Sequence, residues 1–196
     1  MNQPATLPTH ALEPRVAIAQ ASPWHSAPVT LESPANDVMT DLSKVRAATT
    51  RPDASLHEAE QTMIFQGVRM LFVVSGTASI DGLITSTDLL GEKPMRIVQQ
   101  RGVHHNELCV ADVMTPRELL HAIDFARLAS ARVGQVVATL KKFGRNHLLV
   151  VERASAQAPS RIRGVISRSQ IERQLGSAIV ITPIAHTFSE IEQALL

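Results

Sequence analysis

Three short motifs occur twice, in the same order, along this chain of 196 residues. This internal repeat constrains the fold more than any other feature, because each copy should form the same structural unit. The two copies of the motifs lie 75, 77 and 82 residues apart, and loops readily accommodate the small insertions that this drift requires. The motif pairs are DVMT at 37–40 and 112–115, RMLFVV at 69–74 and NHLLVV at 146–151, and GLITSTDLL at 82–90 and GVISRSQIE at 164–172.

Each copy predicts the same order of elements, β-α-β-β-α. A short extended segment leads into an amphipathic helix, two apolar strands follow, and a last helix closes the unit. Apolar side chains spaced three and four residues apart define the expected buried face of the first helix in each unit. These side chains are Leu56, Ala59, Met63 and Ile64 in the first unit, and Val133, Val136, Val137 and Leu140 in the second.

Local signals mark the ends of these helices. Ser55 and Glu58 have the spacing of a capping box, in which each residue satisfies a free backbone N–H group of the first helical turn. Gly67 and Gly144 stand where helices commonly end in the left-handed conformation. Pro94 predicts that the last helix of the first unit bends or restarts.

Composition excludes several classes of protein. Hydrophobic residues make up 44% of the chain, which is enough for a packed core, and the net charge of +1 lacks the basic excess typical of nucleic-acid binding. Cys109 is the single cysteine, so no internal disulfide can form. No signal-peptide pattern and no apolar run of about 20 residues is present. We therefore expect a cytoplasmic protein that does not cross a membrane.

The two ends of the chain differ from the repeat. Residues 1–35, rich in Pro, Ala, Thr and Ser, predict a flexible N-terminal arm in which Trp24 hints at a docking point. Residues 177–196 predict a short strand-helix extension. Within it, residues 182–195 align without gaps to residues 50–63. This alignment is either a partial third repeat or a chance similarity between two capped amphipathic helices.

The repeated units, residues 36–103 and 104–176, resemble a pair of cystathionine-β-synthase (CBS) domains, also called a Bateman module. The resemblance rests on DVMT ahead of each unit, the apolar VV strand, and the closing motif of glycine, two apolar residues, Thr or Ser, two further residues and Asp. It implies an α+β fold of tandem CBS domains. The second unit departs from the family pattern in the segment IDFARLASARVG, and both units lack the middle-strand proline, where Phe72 and Leu149 stand.

The resemblance also implies a function. CBS pairs bind adenosine-containing ligands such as AMP, ADP, ATP or S-adenosylmethionine, are not enzymes, and pass the signal to another protein. No cofactor is then required, the nucleotide is a regulatory ligand, and we expect a homodimer and a separate effector protein. The rival hypothesis is a structural or interaction module with vestigial ligand sites. An enzyme is less favoured than either, because no set of acid, base and nucleophile is visible.

Site residues follow from the same resemblance. In the first unit it places Thr85 on a phosphate, with Ser86 beside it, and Asp88 on a ribose. In the second unit Ser167 and Gln170 occupy the equivalent positions. Apart from the resemblance, Arg168 clusters near Ser167 with Arg161 and Arg163 and is either a phosphate contact across the pair or part of a solvated surface. The resemblance assigns the adenine slot to the residues that enter the first helix and to the middle strand, which are Thr50, Arg51, Pro52, Met70 and Phe72.

Elementary chemistry agrees with these roles. A carboxylate such as Asp88 can accept hydrogen bonds from both hydroxyl groups of a ribose, and bonds to a charged acceptor are the stronger kind. Gln170 is neutral and should hold a ribose less firmly. The simpler reading is ordinary helix capping, since Thr or Ser followed by Asp is common wherever a strand passes into a helix.

Overall fold

The computed structural model describes residues 27–76, 79–154 and 159–180, together with residue 11. Within these ranges the chain forms eight strands, seven α-helices and three short 3₁₀ helices. The strands are β1 (Met39–Asp41), β2 (Thr49–Thr50), β3 (Met70–Val73), β4 (Gly82–Thr85), β5 (Thr115–Pro116), β6 (Ala122–Asp124), β7 (His147–Glu152) and β8 (Arg161–Ser167). The helices are α1 (Leu56–Gln66), α2 (Ser86–Leu90), α3 (Glu92–Arg101), α4 (Val110–Val113), α5 (Phe125–Ala129), α6 (Val133–Lys142) and α7 (Arg168–Leu175). The 3₁₀ helices are Ala35–Val38, His105–Glu107 and Arg117–Leu119.

The predicted β-α-β-β-α order is present in both units, and the α+β class is confirmed. Helix α1 begins at the expected capping box: Glu58 donates its backbone N–H to the Ser55 hydroxyl at 3.1 Å, and Ser55 donates its own N–H to the Glu58 carboxylate at 2.8 Å. It ends at Gly67, whose φ of 64° lies in the left-handed region. Pro94 lies in the first turn of α3, where its missing N–H costs no hydrogen bond, and the helix restarts after Gly91.

The two sheets exchange their outermost strands. One sheet has the order β2-β3-β4-β5 and the other β1-β8-β7-β6. Strand β1 precedes the first unit but pairs with β8 of the second, with Met39 opposite Ile166. Strand β5, which follows the first unit, pairs with β4, with Thr115 opposite Leu83. Each DVMT motif therefore contributes a strand to the sheet of the other unit.

The hydrophobic cores follow the same exchange. Val29, Ala35 and Val38 pack into the core of the second unit, although they precede the first unit in sequence. The segment that contains Leu108 and Val113 packs into the core of the first unit. The boundaries expected at residues 35 and 103 consequently do not coincide with the division between the cores. A third cluster joins the two sheets face to face and consists of Met70, Phe72, Leu83, Leu149 and Val165.

A partly buried ion pair fastens β1 to β8. Arg163 donates from Nε and a terminal nitrogen to the two carboxylate oxygens of Asp41 at 2.8 and 2.9 Å. Ser43 donates its backbone N–H and its hydroxyl to the same carboxylate at 2.9 and 2.7 Å. The Arg163 guanidinium also lies 4.9 Å from the centre of the Phe125 ring. These contacts hold the N-terminal strand on the second sheet.

One expectation about the buried face of α1 was wrong. Ile64 was expected on the buried face of α1, but it is 65% exposed, whereas Leu56, Ala59 and Met63 are buried. The helix turns by about 100° per residue, so Ile64 lies at the edge of the apolar stripe and faces outwards.

Trp24 and most of the N-terminal arm and C-terminal extension fall outside the described ranges. Within those ranges, no helix is long and apolar enough to span a membrane.

Candidate functional site

The junction between β4 and α2 carries the first predicted site. Thr85 donates its backbone N–H and its hydroxyl to Oδ2 of Asp88, at 2.9 and 2.6 Å. Asp88 returns its own N–H to the Thr85 hydroxyl at 3.3 Å. The two residues thus form a capping box, as the simpler reading expected. Both bonds to the carboxylate reach Oδ2, and within the described residues Oδ1 accepts none.

Charged groups from both units lie near His147, close to this junction. Met70 lies opposite Thr85 in the first sheet, and its counterpart His147 lies opposite Ser167 in the second. The side chain of His147 is within electrostatic reach of Asp88, Arg69 and Arg168. Burial, reinforced by the two arginines and opposed by Asp88, lowers the pKa of His147 to about 4. The imidazole is therefore neutral near pH 7, and the positive charge near it comes from Arg69 and Arg168.

The second junction, between β8 and α7, is built differently. Ser167 makes no capping bond to its helix, and its hydroxyl lies 2.9 Å from that of Ser169. The side-chain carbonyl of Gln170 accepts from Arg173 at 2.6 Å, while its amide donates to Gln174 at 3.1 Å. Gln170 is therefore engaged along its own helix and provides no carboxylate to a ligand.

The remaining predicted residues do not all meet Asp88. Strand β2 runs parallel to β3 and places Thr50 opposite Val73, whereas Thr85 lies opposite Met70 at the other end of β3. These ends are about 10 Å apart along the strand at roughly 3.3 Å per residue. Asp88 follows Thr85 and therefore lies at one end of the strands. Thr50 lies at the other end, and Arg51 and Pro52 follow it directly. The guanidinium of Arg51 pairs with Asp53 on the surface.

Two other predicted ligand contacts, Met70 and Phe72, are buried in the structure. Met70 and Phe72 are 8% and 4% exposed and belong to the cluster that joins the two sheets. Their packing role is established by this contact, and a role against a ligand stays a prediction. Arg168, at the start of α7, lies 3.4 Å from Glu172, one turn further along the helix.

Sequence reasoning missed His147 and Arg69. The repeat contained a signal for His147. When RMLFVV is aligned with NHLLVV, Met70 corresponds in sequence to His147, and Arg69 corresponds to Asn146. A polar residue where its repeat partner is buried and apolar marks a position where the two units differ in chemistry. Arg69 reaches the junction through the pairing of β3 with β4, where its carbonyl accepts from the backbone N–H of Ser86 at 3.0 Å, whereas His147 comes near Asp88 only because the two units pack together.

Two surface cavities lie beside, not on, the Thr85–Asp88 junction. One, of about 270 Å³, is lined by residues that include Ile64, Arg69, Ser86 and Leu90. The other, of about 660 Å³, is lined by residues that include His57, Leu90, Met95 and His105. Across the described ranges, no group of three or more His, Cys, Asp or Glu side chains is placed to hold a metal ion.

Comparisons with known proteins identify the class. Residues 35–94 match the family model of the CBS domain. The CBS-domain-containing protein ATU1752 from Agrobacterium tumefaciens shares the fold with a TM-score of 0.53 and 18% identity, over 74% of this chain and 94% of that chain. Residues 35–94 are thus similar to a CBS domain, and the chain has the fold of a tandem CBS pair.

Two further solved structures with this fold contain adenosine compounds. CBSX2 from Arabidopsis thaliana, in complex with AMP, is 20% identical with a TM-score of 0.50, over 72% of this chain and 94% of that chain. The CBS domain pair of protein MJ0100, in complex with 5′-methylthioadenosine and S-adenosyl-L-methionine, is 20% identical with a TM-score of 0.50, over 76% and 98%. A search of curated proteins found no significant match.

Proposed function

We propose that this chain is a regulatory module that binds an adenosine-containing nucleotide at the Thr85–Asp88 junction and signals to a separate effector protein. The supporting observation is the pattern of hydrogen bonds to the Asp88 carboxylate. Its carboxylate is held in place by Thr85 through Oδ2, while Oδ1 accepts no bond from a described residue. A carboxylate offers about four acceptor positions, so two remain for the hydroxyl groups of a ribose.

The surrounding charges support a ligand that carries phosphate. Arg69 and Arg168 lie within electrostatic reach of the same His147 side chain as Asp88. Guanidinium groups bind phosphate oxygens with directed, charge-assisted hydrogen bonds. Ser86, between Thr85 and Asp88 in sequence, adds a hydroxyl that lines the neighbouring cavity. The second junction lacks the carboxylate, so we place the principal site in the first unit.

Three further proposals accompany this function. The module is not catalytic, in keeping with the general behaviour of CBS pairs. It is cytoplasmic, because its single cysteine, Cys109, suits a reducing compartment. It acts as a homodimer, because large apolar side chains on the helices of the first unit are exposed in the single chain.

Thermal denaturation with AMP and with 2′-deoxy-AMP tests the ligand proposal. At about 100 times its dissociation constant, a ligand adds roughly 2.7 kcal/mol of stability. For a chain of this length, that corresponds to a rise in melting temperature of roughly 5–10 °C. The deoxy compound lacks one donor to Asp88 and should lose about 1.5–3 kcal/mol of this gain.

The chain offers a matched control for the variant Asp88→Ala. Glu58 occupies the same capping-box position on α1, where no ligand is expected. Both Asp88→Ala and Glu58→Ala should lower the melting temperature without ligand, but only Asp88→Ala should remove the response to AMP. Gln170→Ala should leave that response unchanged. If no adenosine compound, including S-adenosylmethionine, raises the melting temperature of the wild type, Asp88 is a capping residue only and the interaction-module hypothesis replaces this one.

A further inference from the structure

Arg168 lies between the candidate ligand site and the chain that leaves the second unit. It is the first residue of α7, directly after Ser167, and its backbone N–H donates to the Asn146 carbonyl at 2.9 Å. Its guanidinium and the Asp88 carboxylate are both within electrostatic reach of His147. Arg168 is therefore a cation from the second unit that is available to the phosphate of a ligand whose ribose is held by Asp88.

The guanidinium of Arg168 already has a partner on its own helix. Its Nε lies 3.4 Å from Oε1 of Glu172, one turn further along α7. The same Oε1 accepts the backbone N–H of Ile179 at 2.9 Å. One carboxylate oxygen therefore joins the arginine near the ligand site to the chain that follows α7.

Ile179 attaches that chain to the second unit. Helix α7 ends at Gly176, whose φ of 67° lies in the left-handed region, and the chain then returns to Glu172. The side chain of Ile179 is 6% exposed and packs in the core of the second unit, whereas Val180 is 77% exposed. Within the described residues, the bond from Ile179 to Glu172 is the last hydrogen bond before residues 181–196.

We infer that a ligand phosphate takes Arg168 from Glu172 and thereby loosens the attachment of the C-terminal extension at Ile179. This inference rests on the proposed nucleotide binding and names the route of the signal within the chain. A phosphate monoester carries a charge of about −1.5 to −2 at pH 7, so it competes well with one carboxylate for a guanidinium. The Glu172 side chain is only 23% exposed, and a carboxylate that loses its cation in such a place turns towards water. The Ile179 N–H then loses its acceptor.

The first unit shows that the fold does not require this link. Ser86 stands at the position of Arg168 in the repeat, and Leu90 stands at the position of Glu172. The first unit therefore forms the same strand-to-helix junction without either charge. The link between the junction and the following chain is a feature of the second unit, where the C-terminal extension begins.

Hydrogen exchange at the Ile179 amide, followed by NMR on the full chain, tests the inference with AMP and adenosine as probes. AMP should accelerate this exchange at least about tenfold, the factor expected when a hydrogen bond to a charged group is lost. Adenosine has the ribose but no phosphate, so it should leave the rate unchanged at a concentration that raises the melting temperature. Ligands usually slow exchange in the residues they contact, so acceleration at Ile179 is not a general effect of binding.

Variants on α7 test the individual contacts. Glu172→Gln keeps an acceptor for the Ile179 N–H but loses the charge that pairs with Arg168, so AMP should no longer accelerate the exchange. Arg168→Met removes the guanidinium, and the Ile179 amide should exchange rapidly with or without AMP. The matched control is Arg173→Met, because Arg173 donates to Gln170 and not to Glu172. It should keep the response of the wild type.

The outcomes distinguish this inference from the proposed function. If AMP raises the melting temperature but leaves the exchange of Ile179 unchanged, the inference is overturned and the nucleotide site stands. Equal acceleration by adenosine and AMP also overturns it, because the phosphate is then not responsible. If AMP changes neither the melting temperature nor the exchange, the proposed function and the inference fail together. The comparison of AMP with adenosine uses the wild type alone, so it holds if a variant does not fold, and the variants carry the test if adenosine does not bind.

Discussion

Replacing Asp41 by Ala should weaken the attachment of the N-terminal strand to the second sheet and lower the stability of the protein. Four hydrogen bonds converge on the Asp41 carboxylate, two from Arg163 and two from Ser43. The side chains of Asp41 and Arg163 are only 11% and 21% exposed. The substitution therefore leaves a largely buried guanidinium without its principal partner, and the two Ser43 donors without an acceptor.

The expected cost lies at the lower end of the range for breaking a buried ion pair, which is roughly 3–5 kcal/mol. Arg163 keeps its contact with the Phe125 ring at 4.9 Å and a longer ion pair with Glu152 at 3.7 Å. We therefore expect a loss of about 3 kcal/mol in the free energy of unfolding. At about 2–4 °C per kcal/mol, the melting temperature should fall by roughly 6–12 °C.

A second arginine–aspartate pair in the same chain provides the control. Arg51 also contacts Asp53 through two nitrogens, but these side chains are 74% and 62% exposed. Exposed pairs contribute little, so Asp53→Ala should change the melting temperature by no more than about 2 °C. Equal changes in the two variants would show that the Asp41–Arg163 pair does not anchor β1, and the reasoning from burial would fail.

Acid titration gives an independent check on the same pair. The hydrogen bonds from Arg163, with those from Ser43, hold the pKa of Asp41 well below its usual range. The unfolded chain therefore binds a proton at this residue near pH 4, whereas the folded chain does so only at lower pH. This contribution to stability is complete above about pH 4 and is lost as the pH falls further. Asp41→Ala should show a shallower loss of stability below pH 4 than the wild type.

The remaining predictions concern His147 and Gly82. The pKa of His147 is lowered to about 4, so the unfolded chain gains this proton first and stability should fall by about 3 kcal/mol between pH 6.5 and pH 4. His147→Met, which copies Met70 of the first unit, should remove that slope in denaturant titrations across this pH range; an unchanged slope contradicts the burial of the imidazole. Gly82→Ala should cost about 1–3 kcal/mol, because the new methyl group would clash with the Thr115 carbonyl oxygen and push β5 away from β4. Gly76→Ala has no atom within 4 Å and should be nearly neutral in the same melting experiment.

Local elements were largely predictable from the sequence. The capping box at Ser55, the glycine end of α1 and the restart near Pro94 all depend on residues within a few positions of each other. The repeat motifs predicted the two β-α-β-β-α units for the same reason, because periodicity and capping are local properties. Ile64 shows the limit of this reasoning, since periodicity cannot separate the edge of a buried stripe from an exposed apolar surface.

Part of the candidate site was also readable along the chain. Thr85 and Asp88 are three residues apart at a strand-to-helix junction, so their mutual hydrogen bonds follow from the backbone geometry of that junction. Gln170 at the equivalent position predicts a weaker second site; in the structure it forms hydrogen bonds along α7, and the relative strength of the two sites stays a prediction. The binding of a ligand by either junction stays a prediction.

Only the tertiary structure decided which distant residues meet. The exchange of β1 and β5 between sheets, the Asp41–Arg163 pair and the approach of Arg69, Asp88 and Arg168 to His147 all join residues far apart in sequence. The separation of Thr50 from Asp88 depends on the parallel pairing of β2 with β3. Strand pairing and register are settled by long-range hydrogen bonds and by burial of one sheet against another, and no local pattern encodes them. The sequence by itself determined the two units and their capped helices, and packing determined which charged side chains lie near His147 and Asp88.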